Sequence, residues 1–287
     1  MQKLKGTLFI CATPIGNLSD ASFRLINKLK DAEIILAEDT RTLKKLLLKY
    51  DIKKQKNSIL SFQDYSSRNK INSILEKLKS GADVALVSES GTPAIQDPGF
   101  KLIRECIDSG INISSVPGPN AAINALVSSG LSTDSFLFIG FLPKKSSKIS
   151  AKLKSLQYLP FTLIFYESPL RIIKLLSILN DLFGDRKCCL AREMTKIYEE
   201  TIRGSISEVK NELLKRESLG IKLKGEIVIV VEGYNQETVK NYNKADIINE
   251  FKKLISLNIQ RKEAIKILRS KYEIDRNQLY NLIIKVK

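Results

Sequence analysis

Two carboxylates and an arginine stand together in Ala37-Glu38-Asp39-Thr40-Arg41, directly after an apolar run. Paired carboxylates suit acid–base transfer or a metal. The same residues serve equally as helix punctuation, with Asp39 or Thr40 capping the next helix and Glu38 pairing with Arg41. Two further charged clusters end apolar runs in the second half, Tyr166-Glu167-Ser168-Pro169-Leu170-Arg171 and Arg192-Glu193-Met194-Thr195-Lys196. The 287 residues contain no histidine, which excludes an imidazole base and imidazole metal ligands. The four cysteines, Cys11, Cys106, Cys188 and Cys189, show no C-x-x-C spacing, so no metal site is expected. They read as reduced thiols of a cytoplasmic protein.

Other run ends carry glycine. Pro14-Ile15-Gly16-Asn17-Leu18 follows the first run, Ser88-Glu89-Ser90-Gly91-Thr92-Pro93 another, and Pro117-Gly118 a third. Glycine lets backbone approach a ligand closely, and small hydroxylic residues leave room for a bound molecule while supplying hydrogen bonds. Asp97-Pro98-Gly99 comes just after the second loop. Neither G-x-G-x-x-G nor G-x-x-x-x-G-K-[ST] is present, so neither a dinucleotide nor a P-loop triphosphate is indicated.

Such loops act together only if the fold delivers them to one edge. Short apolar runs alternate with amphipathic ones from Thr7 to Val231. Strands are expected at Leu8–Ala12, Ile34–Ala37, Ile59–Phe62, Val84–Val87 and Ile111–Val116. Helices are expected through Phe23, Ile26 and Leu29, through Leu43, Leu46 and Leu47, and near Ile71–Leu78 and Phe100–Cys106. A second set has strands at Phe136–Phe141, Leu163–Tyr166, Cys188–Ala191 and Ile227–Val231. The rhythm implies an α/β fold with mostly parallel sheets, whose ligands bind at the carboxyl ends of strands. Pro117-Gly118-Pro119 divides the sets, giving α/β domains over 1–116 and 117–233. The longest apolar run has five residues, so no membrane span is expected, and the start lacks the pattern of a signal peptide.

The 54 residues after Gly233 hold no glycine or proline and carry twelve basic against six acidic side chains. They read as three short helices forming an extension over 234–287, with Asn243 and Asp275 as N-caps. This extension suits either nucleic acid or a packing and dimerising role. Over the whole chain 47 basic residues against 31 acidic give +16. That surplus points to an anionic partner, with a lysine-rich composition as the bland alternative. Basic residues concentrate in Arg41–Lys56 (Arg41, Lys44 and Lys45 among them), in Lys144–Lys154 (with Lys144, Lys145 and Lys148) and in the extension. There Arg261, Lys262, Lys266 and Arg269 have the spacing to share one helix face opposite Ile265 and Leu268.

The ordered segments ATPIGNL, AEDTRT, VALVSESGTPAIQDPG, VPGPNAA, GFLPKK, YESPLR, REMTK and KGEIVIVV resemble the 16S ribosomal RNA cytidine 2′-O-methyltransferases, the ribosomal RNA small subunit methyltransferase I branch of the tetrapyrrole methylase superfamily. The resemblance runs from about Gly6 to Gly233, and the extension is similar to that family's. It implies two α/β domains with S-adenosylmethionine in the cleft between them, a homodimer, and small-subunit 16S RNA as partner, with no metal. It places the cofactor against Pro14 and Gly16; Ser88, Glu89, Ser90, Gly91, Thr92 and Pro93; Pro117, Gly118, Asn120 and Ala121; and Glu193, Met194 and Gly225. Two departures stand out. The loop more often reads Ser-Asp-Ala-Gly-Thr-Pro in relatives, and Ser61-Phe62-Gln63-Asp64 lacks the histidines often found there. Methyl transfer to a ribose hydroxyl needs positioning and benefits from a base. The candidates are Glu38, Asp39, Glu193 and Lys196, and the sequence does not choose among them. A tetrapyrrole-precursor methylase fits the same fold but does not call for the basic balance or the extension. A non-catalytic RNA-binding protein fits the charge but leaves the glycine loops without a purpose.

Overall fold

A computed structural model describes residues 5–235, 244–257, 259–272 and 276–283. They fall into two compact units that part after Gly233. The first begins with a parallel sheet of β1 (Thr7–Cys11), β2 (Ile34–Ala37), β3 (Ile59–Ser61), β4 (Val84–Val87) and β5 (Asn112–Val116), in the order β3-β2-β4-β1-β5. The runs in β1, β2 and β4 are apolar throughout because both faces are covered. Leu8, Ile10, Ile34, Leu36, Val84 and Leu86 face α3 (Arg68–Lys79) and α4 (Phe100–Asp108). Phe9, Cys11, Ile35, Ala37, Ala85 and Val87 face α1 (Phe23–Asp31) and α2 (Thr40–Lys49).

Pro117-Gly118-Pro119 leads out of β5 into α5 (Ala121–Ser129), which packs on the second sheet through Ala122, Ala125 and Leu126. That sheet has β6 (Phe136–Phe141), β7 (Thr162–Glu167), β8 (Lys187–Arg192), β9 (Glu200–Ser205) and β10 (Ile227–Val231), in the order β6-β7-β10-β8-β9. Its other face is closed by α6 (Ser146–Lys154), α7 (Ile172–Phe183) and α8 (Ile206–Ser218). The expectation of a second mostly parallel set is corrected here. Among neighbouring strands only β6 and β7 pair in parallel, while β10 is antiparallel to β7 and β8, and β8 to β9. β9 had no apolar run to announce it, because Glu-Thr-Ile-Arg-Gly-Ser is a half-exposed edge strand whose stability comes from ladder bonds.

All four cysteines are buried, Cys11 and Cys106 in the first sheet's layers and Cys188 and Cys189 on opposite faces of β8, and all are free thiols. Burial pushes Cys11 and Cys188 up to about 12 and Cys106 up to about 11, and it raises Cys189 as well. Among the described residues no helix is long and apolar enough to cross a membrane.

The second unit is three helices, α9 (Lys244–Ser256), α10 (Arg261–Tyr272) and α11 (Arg276–Ile283), around Ile247, Phe251, Ala264, Leu268, Leu279 and Ile283. The proposed caps Asn243 and Asp275 lie outside the described residues. Arg261 departs from the expected basic face. Positions 261, 264, 265 and 268 lie on the apolar stripe, and the guanidinium of this exposed residue folds back to lie 5.4 Å from the Phe251 ring and bond the Ile283 carbonyl at 3.2 Å. Lys262, Lys266 and Arg269 are exposed.

Candidate active site

The three glycine loops are laced together at the carboxyl ends of β1, β4 and β5, which are neighbours in the sheet. Thr13 and Gly91 exchange backbone bonds of 2.8 and 3.1 Å, and the Thr92 hydroxyl donates to the Pro119 carbonyl at 3.3 Å. Gly91 has φ +75°, the left-handed region where a side chain is strained. Asn120 caps α5, its side chain accepting from the amides of Ala122 and Ile123. The second sheet closes over these loops. Asn17 N–H donates to Thr195 Oγ1 at 3.1 Å, and Gly16 is so close to Lys196 that a Cβ there would meet its Cγ at 2.4 Å.

Between them lies a cavity of about 720 Å³, within the range of small-molecule sites. Pro14, Gly16, Glu89, Ser90, Gly91, Thr92, Asn120, Ala121 and Gly225 line it. Six other residues that the resemblance assigns to the cofactor stand behind or beside the wall. The Ser88 hydroxyl supports the loop from within, donating to the carbonyls of Ser90 and Gly91, and Pro93 is buried. Gly118 backs onto Ala12, beside an exposed Pro117. Met194 packs into the α5 layer, and Glu193 braces the rim. The lining also holds residues the sequence did not single out as a site, Ile15, Gln96, Asp97 and Phe141 among them, with Tyr166, Glu167, Ser168 and Pro169 from the charged end of β7. Tyr166 accepts the Ala122 amide at 3.2 Å between the edges of Phe138 and Phe141, and burial raises its phenol.

The candidate proton carriers separate clearly. Asp39 caps α2 and binds Arg41 at 2.6 Å, and that hydrogen bond holds its carboxyl down at about 2. The expected Glu38–Arg41 pair is therefore replaced by Asp39–Arg41, because a capping side chain folds back over the first turn, where Arg41 sits. Glu38 instead lines the cavity and accepts the Glu89 amide at 3.1 Å. Glu193, in the left-handed region at φ +51°, accepts from Lys196 at 2.9 Å and from the Glu226 amide at 3.0 Å. Burial works against its charge, but these donors outweigh it and lower the carboxyl. Burial likewise opposes the Lys196 ammonium, yet Glu193 and Glu226 outweigh it and raise the group, so Lys196 stays protonated. Gly225, at φ +92°, leaves the space that the Glu193 carboxylate fills. Asp97, which is not among the proton carriers expected from the sequence, is pushed up to about 7, chiefly by burial and then by the charge of Glu38.

Five carboxylates (Glu38, Glu89, Asp97, Glu167 and Glu226) and two amines (Lys45 and Lys196) line the cavity, an acidic interior in a chain of +16. Among the described residues no cluster of three or more His, Cys, Asp or Glu side chains is placed to hold a metal. Arg41, Lys44, Lys45, Lys144, Lys145 and Lys148 are exposed, and Lys45 also borders the cavity. Arg171 donates to the carbonyls of Leu142 and Pro143 at 3.2 and 3.0 Å, tethering the base of the Lys144–Lys145 loop.

The tetrapyrrole (corrin/porphyrin) methylase family model matches residues 7–210. A ribosomal RNA small subunit methyltransferase I from Streptococcus pyogenes serotype M3 is 38% identical over 97% of this chain and 95% of its own. One from Bacillus subtilis is 39% identical over 95% of this chain and 90% of its own. The solved uroporphyrin-III C-methyltransferase of Thermus thermophilus, complexed with S-adenyl homocysteine, shares the fold. Its TM-score is 0.52 at 14% identity, covering 79% of this chain and 97% of that one. With a laced glycine-loop cavity at a parallel sheet edge and relatives matched over nearly its whole length, the chain belongs to the tetrapyrrole methylases, in the ribosomal RNA small subunit methyltransferase I family.

Proposed function

We propose that the protein transfers a methyl group from S-adenosylmethionine to the ribose 2′-hydroxyl of a cytidine in 16S ribosomal RNA, in the decoding region of the small ribosomal subunit. One observation carries this reading: an acidic, glycine-walled cavity sits inside a strongly basic protein. The cavity suits a cationic sulfonium, and the basic exterior suits polyanionic RNA. The names of the relatives point the same way.

The residues fit the donor. Gly91 presents bare backbone to the cavity, and a Cβ there would stand 3.3 Å from Ile15 Cγ2. Pro14, Gly16, Ser90, Gly91, Thr92, Asn120, Ala121 and Gly225 would hold it directly, with Glu89 and Glu38 facing its positive charge. Ser88, Pro93, Pro117, Gly118, Glu193 and Met194 support that wall. When bound, S-adenosylmethionine supplies a methyl on a good leaving group, so no protein nucleophile is required. The chain's task is to exclude water and hold the hydroxyl in line. The domains over 1–116 and 117–233 supply the two walls of the cleft. The exposed apolar residues Phe100 and Ile107 of α4 and Ile123 and Val127 of α5 support a homodimer. A ribosomal substrate places the enzyme in the cytoplasm.

Purified protein with labelled methyl donor is expected to methylate small ribosomal subunits and not uroporphyrinogen-like macrocycles. The reverse pattern would turn the reading to a tetrapyrrole-precursor methylase, and no transfer together with no donor binding to a non-catalytic RNA binder. Subunit affinity is expected to fall steeply with salt, with a slope of log K against log salt of about −4 or steeper, as some six phosphate contacts give. A salt-independent affinity counts against a phosphate-dominated interface.

A further inference from the structure

β6 is an edge strand of the second sheet, and its end carries a bulge. Phe138 pairs with Ile164 and Phe141 with Tyr166, so β6 takes three steps where β7 takes two. Such an extra residue re-aims the side chains beyond it. Regular alternation would set Phe138 and Phe141 on opposite faces of the strand. Here both rings meet Tyr166 edge-on, at 5.0 and 5.5 Å, and Phe141 lines the cavity. The first sheet's side fixes this end. Gly140 lies at φ +69°, and Gln96 fills the space where its Cβ would stand. Gln96 Oε1 also accepts the Phe141 amide at 3.3 Å.

Core packing does not account for the ring that the bulge delivers. Phe138 is half-buried against the α5 layer, whereas Phe141 is 57% exposed. Leu170, next to the cavity-lining Ser168 and Pro169, is 97% exposed. Directly after the ring the chain turns cationic. Lys144 follows within about 10 Å of chain, and Lys144, Lys145 and Lys148 are all exposed. Arg171 holds the Leu142 and Pro143 carbonyls between ring and lysines, and pairs with Glu167 at 3.1 Å. An open aromatic ring and a row of cations thus share one braced segment. Proteins take single-stranded nucleic acid in this way, with bases on rings and phosphates on cations.

Resting on the methyl-transfer reading above, we infer that Phe141 is the platform on which the base of the target nucleotide stacks, its flanking phosphates lying on Lys144 and Lys145. The glycine loops that suit the donor come mainly from the first sheet, which leaves this ring to the acceptor. RNA bases splayed out of their helix are met by aromatic side chains in this manner. With its base held at the mouth, the nucleotide can turn its ribose inward, where the 2′-hydroxyl must lie in line with the methyl. Every base has a π-face, so the ring fixes position and not base identity.

The test compares wild type with Phe141→Tyr, Phe141→Trp, Phe141→Leu and Lys144→Ala, using S-adenosylmethionine and intact small ribosomal subunits. Phe141→Leu keeps an apolar side chain but offers no ring. It is expected to weaken subunit affinity about 5- to 150-fold, as loss of one base–aromatic stack does. Phe141→Tyr and Phe141→Trp should stay within about threefold of wild type, because both keep a ring to stack on. Stacking releases no counterions, so Phe141→Leu should keep the wild-type slope of log K against log salt. Lys144→Ala should make that slope shallower by about 0.7–0.9. Donor affinity by calorimetry should change far less than subunit affinity in every Phe141 variant. Undiminished subunit affinity in Phe141→Leu, or aromatic variants as weak as it, overturns the assignment. So does a shallower slope in Phe141→Leu, which would mean a displaced lysine loop. A donor loss as large as the subunit loss gives the ring to the donor, and altered sedimentation gives it to a second copy; either overturns the assignment alone. Wild type that binds donor but leaves the subunit unmethylated overturns the functional reading and the assignment with it.

Discussion

Gly91→Arg is expected to abolish binding of the methyl donor, weakening affinity more than about 100-fold, or roughly 2.7 kcal/mol. Gly91 sits where three loops converge. Both its amide and its carbonyl are bound to Thr13, and a Cβ built on it would face Ile15 Cγ2 at 3.3 Å and the Pro119 carbonyl at 3.7 Å. A side chain starting there has the cavity as its way out. An arginine would fill it and would also set a guanidinium among the carboxylates that suit a sulfonium. The left-handed backbone adds about 1–2 kcal/mol of strain for any residue with a Cβ. Gly91→Ala separates the two effects, since it carries the strain but leaves most of the space. It should lower thermal stability by several degrees while losing no more than about tenfold in affinity. Unchanged donor affinity by calorimetry in Gly91→Arg would move the donor site elsewhere.

Deleting everything after Gly233 is expected to leave the fold and donor binding largely intact while weakening attachment to the small subunit by about tenfold or more. The second unit has its own core, drawn from all three of its helices, and its own polar ties, including Glu250 with Lys271 and Tyr272. Its removal does not breach the cores of the first unit. Lys262, Lys266 and Arg269 project to solvent without a catalytic group beside them. Three phosphate contacts from these side chains would contribute about 2–3 to the salt slope, so the slope of the truncated chain should be shallower by that amount. Sedimentation supplies the alternative outcome. A truncated chain that becomes monomeric or insoluble assigns the helices to packing in a dimer. One that stays dimeric and methylates subunits as well as the full chain removes the RNA-binding role.

In the first sheet β1, β2 and β4 were legible to within a residue or two because burial on both faces writes them as unbroken apolar runs. Val84–Val87 and Ile34–Ala37 coincide with β4 and β2. In the second sheet β9 escaped notice, since an edge strand can be polar at every other position and still be held by its ladder. Strand direction was equally invisible, because an antiparallel strand buried on both faces, such as β10, has the same composition as a parallel one. At the site, the glycine loops announced themselves through residue types. How each carboxylate is held depended on one-residue distinctions of cap geometry, as Glu38 and Asp39 show, and on burial that residue type does not announce, as the raised Asp97 carboxyl shows.

The buried thiols acquire a meaning beside the proposed donor. An activated methyl is a strong alkylating agent, and a thiolate is the softest nucleophile a protein can offer it. With Cys11, Cys106 and Cys188 pushed up to between about 11 and 12, fewer than about one in a thousand of these groups is ionised at neutral pH. All four sulfurs are packed inside sheet layers, and none lines the cavity. With no histidine in the chain, the imidazole is missing from the list of targets as well. The softest nucleophiles the chain possesses are thus kept away from its reactive partner, a form of chemical self-protection that comes from packing the thiols into the sheet layers.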